Sequence, residues 1–240
     1  MVPRSTSWLH SPRFPASSDP SEIVMDHHHG TQSPIFPLAS AMVPGMVVPL
    51  RLFESRYRQL GTHLNSTPGR SDIATVMIER GSEVGGGEQR SSVGCLLEVI
   101  QCRPSDDGSW VLLTRATERI RVLEWMDDAP WPRGLIQRWP DDDGDAHTPS
   151  ELRQLVTDLA ELAVVGQAVG MNVNRPPLAS LRPVDIGWYS AAAAPIGDID
   201  RQRLLAAPTL AGRLRLLRSM VDEQLELVRL LEQQGREPSG

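Results

Sequence analysis

The sequence predicts an α+β fold, in which a small β-barrel with one inserted helix is followed by an α-helical bundle. Two observations predict this order. Residues 33–143 contain many short runs rich in β-branched and aromatic residues, separated by glycine and proline turn signals. Residues 144–240 instead carry apolar residues at the spacing of an α-helix. We therefore expect two domains that meet near residue 143.

Residues 1–32 precede these domains and are expected to be a disordered tail. They are rich in Ser, Pro and His and show no apolar periodicity, so they offer little surface for a core to bury. The tail contains His27, His28 and His29. A metal site needs ligands that neighbouring groups hold in place, which a disordered tail does not provide. The sequence thus predicts no metal ion and no other cofactor.

The barrel is predicted to begin with two short strands on either side of the Pro44–Gly45 turn. A helix over residues 54–64 follows, with an apolar face formed by Tyr57, Leu60 and Leu64. The remaining strands are the β-rich runs Ile73–Ile78, Val93–Cys102, Trp110–Thr117, Ile120–Trp125 and Gly134–Trp139. A hairpin turn at residues 106–108 joins the second and third of these runs.

The helical half is predicted to begin at a capping box over residues 148–151, which satisfies the free amides of the first turn. Asp198 and Thr209 can cap later helices, and Gly235 is the expected end of the last one. The last helix carries an apolar stripe formed by Leu210, Leu214, Leu217, Val221, Val228 and Leu231. This stripe predicts packing within the bundle, and its spacing also permits a coiled-coil dimer.

Composition and charge exclude several classes of function. The chain has 240 residues and a net charge of -6, and all 24 basic residues are arginine, as is typical of a GC-rich bacterial genome. Nucleic-acid affinity needs a concentrated basic surface, so a nucleic-acid partner is not expected. Because lysine is missing, a Walker A loop, a Ser-Lys protease dyad and Schiff-base chemistry are excluded.

The same composition predicts where the protein acts. No run approaches the roughly 18 consecutive apolar residues that span a bilayer, so no membrane partner is expected. Cys95 and Cys102 would stand about 23 Å apart on one strand, which is beyond disulfide reach. We therefore expect a cytoplasmic protein.

The segment Pro34–Tyr57, PIFPLASAMVPGMVVPLRLFESRY, carries the most informative pattern in the chain. It joins a Phe-Pro-Leu strand, a Pro-Gly turn, a Pro-Leu strand and the motif Phe-Glu-x-Arg-Tyr. This pattern resembles the amino-terminal substrate-binding domain of Lon proteases. The likeness extends over residues 33–234, and residues 78–90 are similar to the glycine-rich loop of stand-alone bacterial members.

This resemblance implies a barrel of the type shared with PUA domains, followed by helices, that binds unfolded or exposed polypeptide segments. In that family the ATPase and protease parts lie elsewhere in the full-length enzyme. The chain ends at Gly240 without room for either part and lacks the lysines that both use. We therefore expect a non-catalytic recognition module, acting as an adaptor or regulator of proteolysis alongside a protease or chaperone.

Candidate contact residues occur at the predicted junction between the second strand and the helix, where the chain has Arg51, Glu54, Arg56 and Tyr57. Arginine and tyrosine are frequent interface anchors, which favours a groove for a substrate segment. A glutamate in the first helical turn also complements the helix dipole, so a purely structural role is the alternative. We expect Arg56 to be structural and Arg51 to make contact with the substrate.

The glycine-rich loop supplies three further candidates, Glu83, Glu88 and Arg90, because we expect them to be exposed. The run Gly85–Gly87 is predicted to be a flexible hairpin connection and not a phosphate site, since a glutamate and a strand follow it. Two charged runs are expected to be solvated: the segment Arg115–Arg121 at a strand edge, and the acidic segment Asp141–Asp145 in a linker between the domains.

Two rival functions remain open from the sequence. A hydrolase with an unrecognised catalytic site is one, although the chain has no Gly-x-Ser-x-Gly or His-Glu-x-x-His motif and its His63 and His147 are isolated. An RNA-binding module is the other, and only the PUA-like barrel suggests it.

Overall fold

The computed structural model describes residues 30–67, 72–141, 149–168 and 183–236. Within these ranges the chain forms six strands and five helices, which confirms the predicted α+β class. In chain order they are β1 (Thr31–Leu38), β2 (Val47–Leu52), α1 (Ser55–Ser66), β3 (Asp72–Arg80), β4 (Gln89–Pro104), β5 (Trp110–Trp125), β6 (Arg133–Arg138), α2 (Pro149–Ala168), α3 (Pro183–Ala193), α4 (Asp198–Ala206) and α5 (Leu210–Arg236).

The sheet closes into a barrel through its longest strands. Its order is β2-β5-β4-β3-β1-β6, and β6 pairs back onto β5. The ring therefore contains β5, β4, β3, β1 and β6, whereas β2 lies outside it. The 16-residue β5 makes this possible, because residues 110–115 pair with β2 and residues 120–125 pair with β6. Closure removes the free edges of the ring, but β2 keeps one.

The barrel differs from the predicted strands at two points. The runs Trp110–Thr117 and Ile120–Trp125 form the single strand β5, because the polar residues between them do not form a turn. Strand β1 begins at Thr31 and pairs with β6 from there, so the predicted tail boundary at residue 32 falls inside a strand. Residues 1–29 of that tail, with its histidines, lie outside the described residues. Cys95 and Cys102 are free, as predicted.

The apolar stripe of α5 packs within the chain. Its buried residues share one core with α2, α3 and α4, and this core extends to Val43 and Val93 of the barrel half. The stripe ends before Leu231, which is exposed. A second and third cluster fill the barrel and the space beneath α1. The structure therefore places the main partner surface of α5 in its own bundle, as the intramolecular interpretation predicted.

The helix ends follow the predicted capping residues in part. Thr209 caps α5, since its hydroxyl accepts a hydrogen bond from the Gly212 N–H at 3.1 Å. Asp198 is the first residue of α4 and not its cap, which is Gly197. Helix α5 runs one residue past Gly235. The predicted capping box includes Thr148, which lies outside the described residues.

Two predictions of solvated charge are wrong, because Arg119 is buried and the Asp141 side chain is only 9% exposed where the barrel meets the helices. Arg119 is 2% exposed, and its Nη2 lies 2.6 Å from Asp141 Oδ1. The same oxygen lies 2.7 Å from Nη1 of the buried Arg213 on α5. The run Arg115–Arg121 therefore includes a buried arginine, and the acidic linker begins with a carboxylate that is shielded from solvent. Residues 142–145 of that linker lie outside the described residues.

We call Arg119, Asp141 and Arg213 the junction triad. The Trp188 indole on α3 donates to Asp141 Oδ2 at 2.5 Å, so α3 also joins this network. Arg119 Nη1 donates to the carbonyls of Leu205 and Ala207 at the end of α4, at 2.9 and 2.7 Å. Burial lowers the pKa of Arg119 to about 10, so it stays charged at neutral pH. The triad thus fastens the barrel to three helices.

Candidate functional site

The structure divides the predicted contact residues between two places. Arg51 lies on the outer surface of β2. The others lie at the glycine-rich loop that joins β3 to β4, where the charges of the neighbouring Glu and Arg residues all act on the Tyr57 hydroxyl. We call five of these residues the loop cluster, namely Glu54, Arg56, Tyr57, Glu88 and Arg90, whereas Glu83 lies elsewhere on the loop.

The loop packs on the start of α1. Glu54 precedes the helix as its N-cap residue and not within the first turn, and its carboxylate lies 3.3 Å from Arg56 Nε. The same carboxylate accepts a long hydrogen bond from the Gly85 N–H, at 3.4 Å. Gly86 has a φ of 81°, and a Cβ there would lie 3.1 Å from Arg56 Nη1. Glycine therefore supplies both the left-handed backbone and the space for the arginine.

At the end of the loop that leads into β4, Glu88 and Arg90 belong to an ion-pair network with Asp128. Arg90 Nη2 lies 2.7 Å from Glu88 Oε1, and two parallel hydrogen bonds join Arg90 to Asp128, at 3.0 and 2.5 Å. The Arg90 guanidinium also lies 5.0 Å from the centre of the Trp125 ring. The Glu88 side chain is only 1% exposed and that of Arg90 only 10%. The expectation that these two residues are exposed is wrong, because each is buried by its opposite charge.

Glu83 and Tyr57 complete the attachment of the loop. The Glu83 carboxylate accepts a hydrogen bond from the Ala39 N–H, which follows β1. The Tyr57 ring is buried 4.4 Å from the Phe36 ring, between centroids, and burial raises the pKa of its hydroxyl well above the ordinary value. At this point the structure therefore has a buried tyrosine and charges that are paired with one another. The geometry favours a structural role for the loop cluster.

The pairing of Arg90 with Asp128 predicts a pH dependence. The hydrogen bonds from Arg90 hold the pKa of Asp128 below its ordinary value. Such a carboxyl stabilises the fold above the unfolded pKa of about 4, and this contribution is lost as the pH falls through the lowered folded pKa. We expect Asp128→Asn to lower the melting temperature at pH 7, and the difference from the parent to shrink progressively in melts below pH 4.

The matched control is Asp127→Asn, the same change at an exposed position one residue earlier. We expect it to melt like the parent across this pH range. A deficit in Asp128→Asn that is equally large at pH 7 and at pH 2 would contradict the ion-pair explanation.

Arg51 has a different environment. Its side chain is 62% exposed, and its Nη2 lies 2.5 Å from Asp107 Oδ2 in the turn between β4 and β5. Two hydrogen bonds from Ser109, and to a smaller extent one from Arg51, hold the pKa of Asp107 below its ordinary value. An exposed ion pair of this kind contributes little to stability and exchanges partners readily. The Arg51 side chain is therefore mostly in solvent.

Arg51 borders an apolar surface that sequence reasoning missed. Five large apolar side chains on β2, β4 and β5, or directly after β2, are between 36 and 53% exposed. With Pro49 they form a surface that we call the outer face, which consists of Val47, Pro49, Phe53, Ile100, Val111 and Leu113.

Strand pairing makes the outer face continuous. Pro49 lies opposite Leu113 in the β2–β5 ladder, and Gln101 of β4 lies on the other side of Leu113. Neighbouring strands are about 4.8 Å apart, so these residues are direct neighbours on one side of the sheet. A register shift in β4 between Val99 and Gln101 inserts Ile100 as an extra exposed residue. The outer face therefore spans three strands.

The apolar character of both sides of β2 hid this surface from the sequence analysis. Val48, Leu50 and Leu52 point inwards and are at least partly buried, whereas Val47 and Pro49 point outwards. Because both sets of alternating residues are apolar, the pattern did not indicate which set faces solvent.

Arginines border the outer face. Arg115 is exposed and lies 3.4 Å from Glu98, across the β4–β5 ladder. Arg103 on β4 is exposed, and among the described residues nothing pairs with its guanidinium. With Arg51, they place three arginines around the apolar surface. Two of them, Arg51 and Arg115, already bind the exposed carboxylates of Asp107 and Glu98.

Neither a cluster of metal-binding residues nor a membrane-spanning helix is found in the part of the chain that the structure describes. No group of three or more His, Cys, Asp or Glu residues is placed to hold a metal ion there. None of the described helices is long and apolar enough to cross a membrane.

Comparison with known proteins identifies the family. The ATP-dependent protease La (LON) substrate-binding domain matches residues 32–223 of this chain. Lon protease 2 of Thermus thermophilus is 24% identical over 212 residues, a match that covers 85% of this chain and 26% of the relative. The chain thus spans about a quarter of the length of that protease.

Two solved structures have a similar fold. The Lon N-terminal domain protein from Xanthomonas campestris superposes with a TM-score of 0.58 and is 25% identical, covering 79% of this chain and 98% of that one. The N-terminal domain of Mycobacterium avium complex Lon protease gives a TM-score of 0.53 at 15% identity, covering 80% and 98%, and supports the fold alone. The family match covers most of the barrel and the bundle, so the chain belongs to the family of Lon substrate-binding domains.

Proposed function

We propose that this protein binds exposed apolar segments of other polypeptides through the outer face, without catalysing a reaction on them. One observation carries the proposal: four exposed large apolar side chains gather on three adjacent strands and a fifth, Phe53, directly follows one of them, with arginines at the border. Exposed apolar surface costs free energy in water, and a gathered set of this kind is typical of an interaction site. Membership of a family of substrate-binding domains supports the same function.

In this proposal the protein is an adaptor or regulator in bacterial protein quality control. It holds the segment, while a separate protease or chaperone acts on it. Similarity to a Lon protease, 26% of whose length the match covers, supports a connection with proteolysis. Two free cysteines favour the cytoplasm as the place of action, since reducing compartments keep thiols free.

The substitution Leu113→Asp tests the outer face. A charge at the centre of an apolar interface must be desolvated when the segment binds. We expect about tenfold weaker binding of fluorescein-labelled casein, an unfolded acidic polypeptide, measured by fluorescence anisotropy. The melting temperature should change little, because Leu113 is already exposed.

Leu123→Asp is the matched control. Leu123 is an exposed leucine on the same strand, 49% exposed and ten residues further along. It lies roughly 30 Å from Leu113 along β5. We expect this variant to bind casein like the parent. Equal binding by both variants and the parent would refute the outer face as the recognition surface.

A further inference from the structure

The free edge of β2 offers a second way to recognise a polypeptide. Among the described strands, β2 pairs only with β5, so its other edge has no partner strand. In an antiparallel ladder, the peptide groups of successive residues point alternately towards the partner strand and away from it. The N–H and the C=O of one residue point in the same direction.

The register between β2 and β5 shows which residues of β2 face the free edge. The Ala116 N–H donates to the Met46 carbonyl at 2.8 Å, which makes Met46 a bonded position. The register then continues without a shift along the whole of β2. Every second residue from Met46 is therefore hydrogen-bonded to β5. The residues between them, Val47, Pro49 and Arg51, direct their N–H and C=O groups to the free edge.

These residues carry both kinds of contact. Their side chains form or border the outer face, and their peptide groups make no backbone hydrogen bond to any other described residue. Pro49 has no N–H, so the free edge offers the N–H groups of Val47 and Arg51 and the C=O groups of all three. We propose that an extended polypeptide strand binds by pairing with this edge, an inference that rests on the proposed function.

Pro49 and Arg51 determine which kind of strand can bind to the free edge of β2. A strand from another protein loses one ladder bond at Pro49, whereas two β2 edges paired symmetrically about Pro49 lose two. The edge therefore disfavours a second copy of this chain. The partner is an extended segment with apolar residues at alternate positions, which cover Val47 and Pro49, and with a carboxylate that replaces Asp107 as the partner of Arg51.

The variants Val47→Pro and Val47→Ala separate the backbone contact from the side-chain contact. Proline removes the outward N–H, and this should cost no bond to β5, as at Pro49. Alanine keeps the N–H but removes more apolar surface. The probe is a fluorescein-labelled peptide of nine residues, with alternating leucine and threonine and one central glutamate. We expect Val47→Pro to bind it about fivefold more weakly than Val47→Ala, the effect of one lost hydrogen bond.

A second measurement uses the parent protein and so does not depend on how the variants fold. Methylation of the peptide nitrogens at alternate residues blocks one set of donors at a time. We expect one alternate set to abolish binding, because those N–H groups face β2, and the other set to leave it within about twofold of the unmethylated peptide.

The outcomes distinguish this inference from the proposed function. If casein binding depends on Leu113 but both methylated peptides bind alike, the outer face is the site and edge pairing is wrong. Equal affinities of the two Val47 variants would also overturn edge pairing. If neither casein nor the peptide binds the parent, the proposed function fails, and this inference fails with it.

Discussion

Asp141→Asn is expected to destabilise the protein by on the order of 3–5 kcal/mol, because it leaves two buried arginines without a compensating charge. Arg119 and Arg213 both approach Asp141 Oδ1, at 2.6 and 2.7 Å. Arg119 keeps its charge at neutral pH, since its lowered pKa is still about 10. The melting temperature should fall by roughly 10 °C in a chain of this size.

Glu118→Gln is the matched control, because Glu118 directly precedes Arg119 on β5 and its ion pair with Arg138 is exposed. An exposed pair contributes about 0–1 kcal/mol, so this variant should melt within a few degrees of the parent. Thermal melts followed by circular dichroism give both values. Similar melting temperatures for the two variants would show that the junction triad does not hold the barrel to the helices.

Gly94→Ala is expected to destabilise the barrel by about 3 kcal/mol or more, because the added methyl group has no space. Gly94 lies at the centre of β4, paired with Val76 of β3 and Ile120 of β5. A Cβ there would lie 1.9 Å from the carbonyl oxygen of Thr75. Backbone atoms cannot rotate away as a side chain can, so the strands β3 and β4 would have to separate.

Gly197→Ala provides the same substitution where space is open. Gly197 precedes α4 with a φ of -74°, and a Cβ there meets no atom within 4 Å. We expect a loss of about 1 kcal/mol or less, because alanine is a poorer N-cap residue than glycine but meets no neighbouring atom there. Chemical denaturation of the two variants measures both effects. If Gly94→Ala lowers the free energy of unfolding by no more than Gly197→Ala does, the strands β3 and β4 separate more easily than their spacing indicates.

The sequence by itself determined the α+β class, the order of barrel and bundle, and the family. These features depend on local patterns. The Pro44–Gly45 turn and the β-rich runs specify strands wherever they lie, and the stripe of α5 specifies a buried helical face. The motif over residues 34–57 is likewise continuous in the chain, so it could be recognised without knowing what packs against it.

Only the tertiary structure decided which charges and which apolar residues are exposed. Arg119 and Asp141 look like solvated residues in the sequence, but Arg213 and Trp188 bury them from helices that lie far along the chain. Burial depends on what packs across space, and a charge is buried where a distant opposite charge compensates it. For the same reason the outer face was missed, since only the packing of α1 and the barrel strands against the inner side of β2 fixed which side faces solvent.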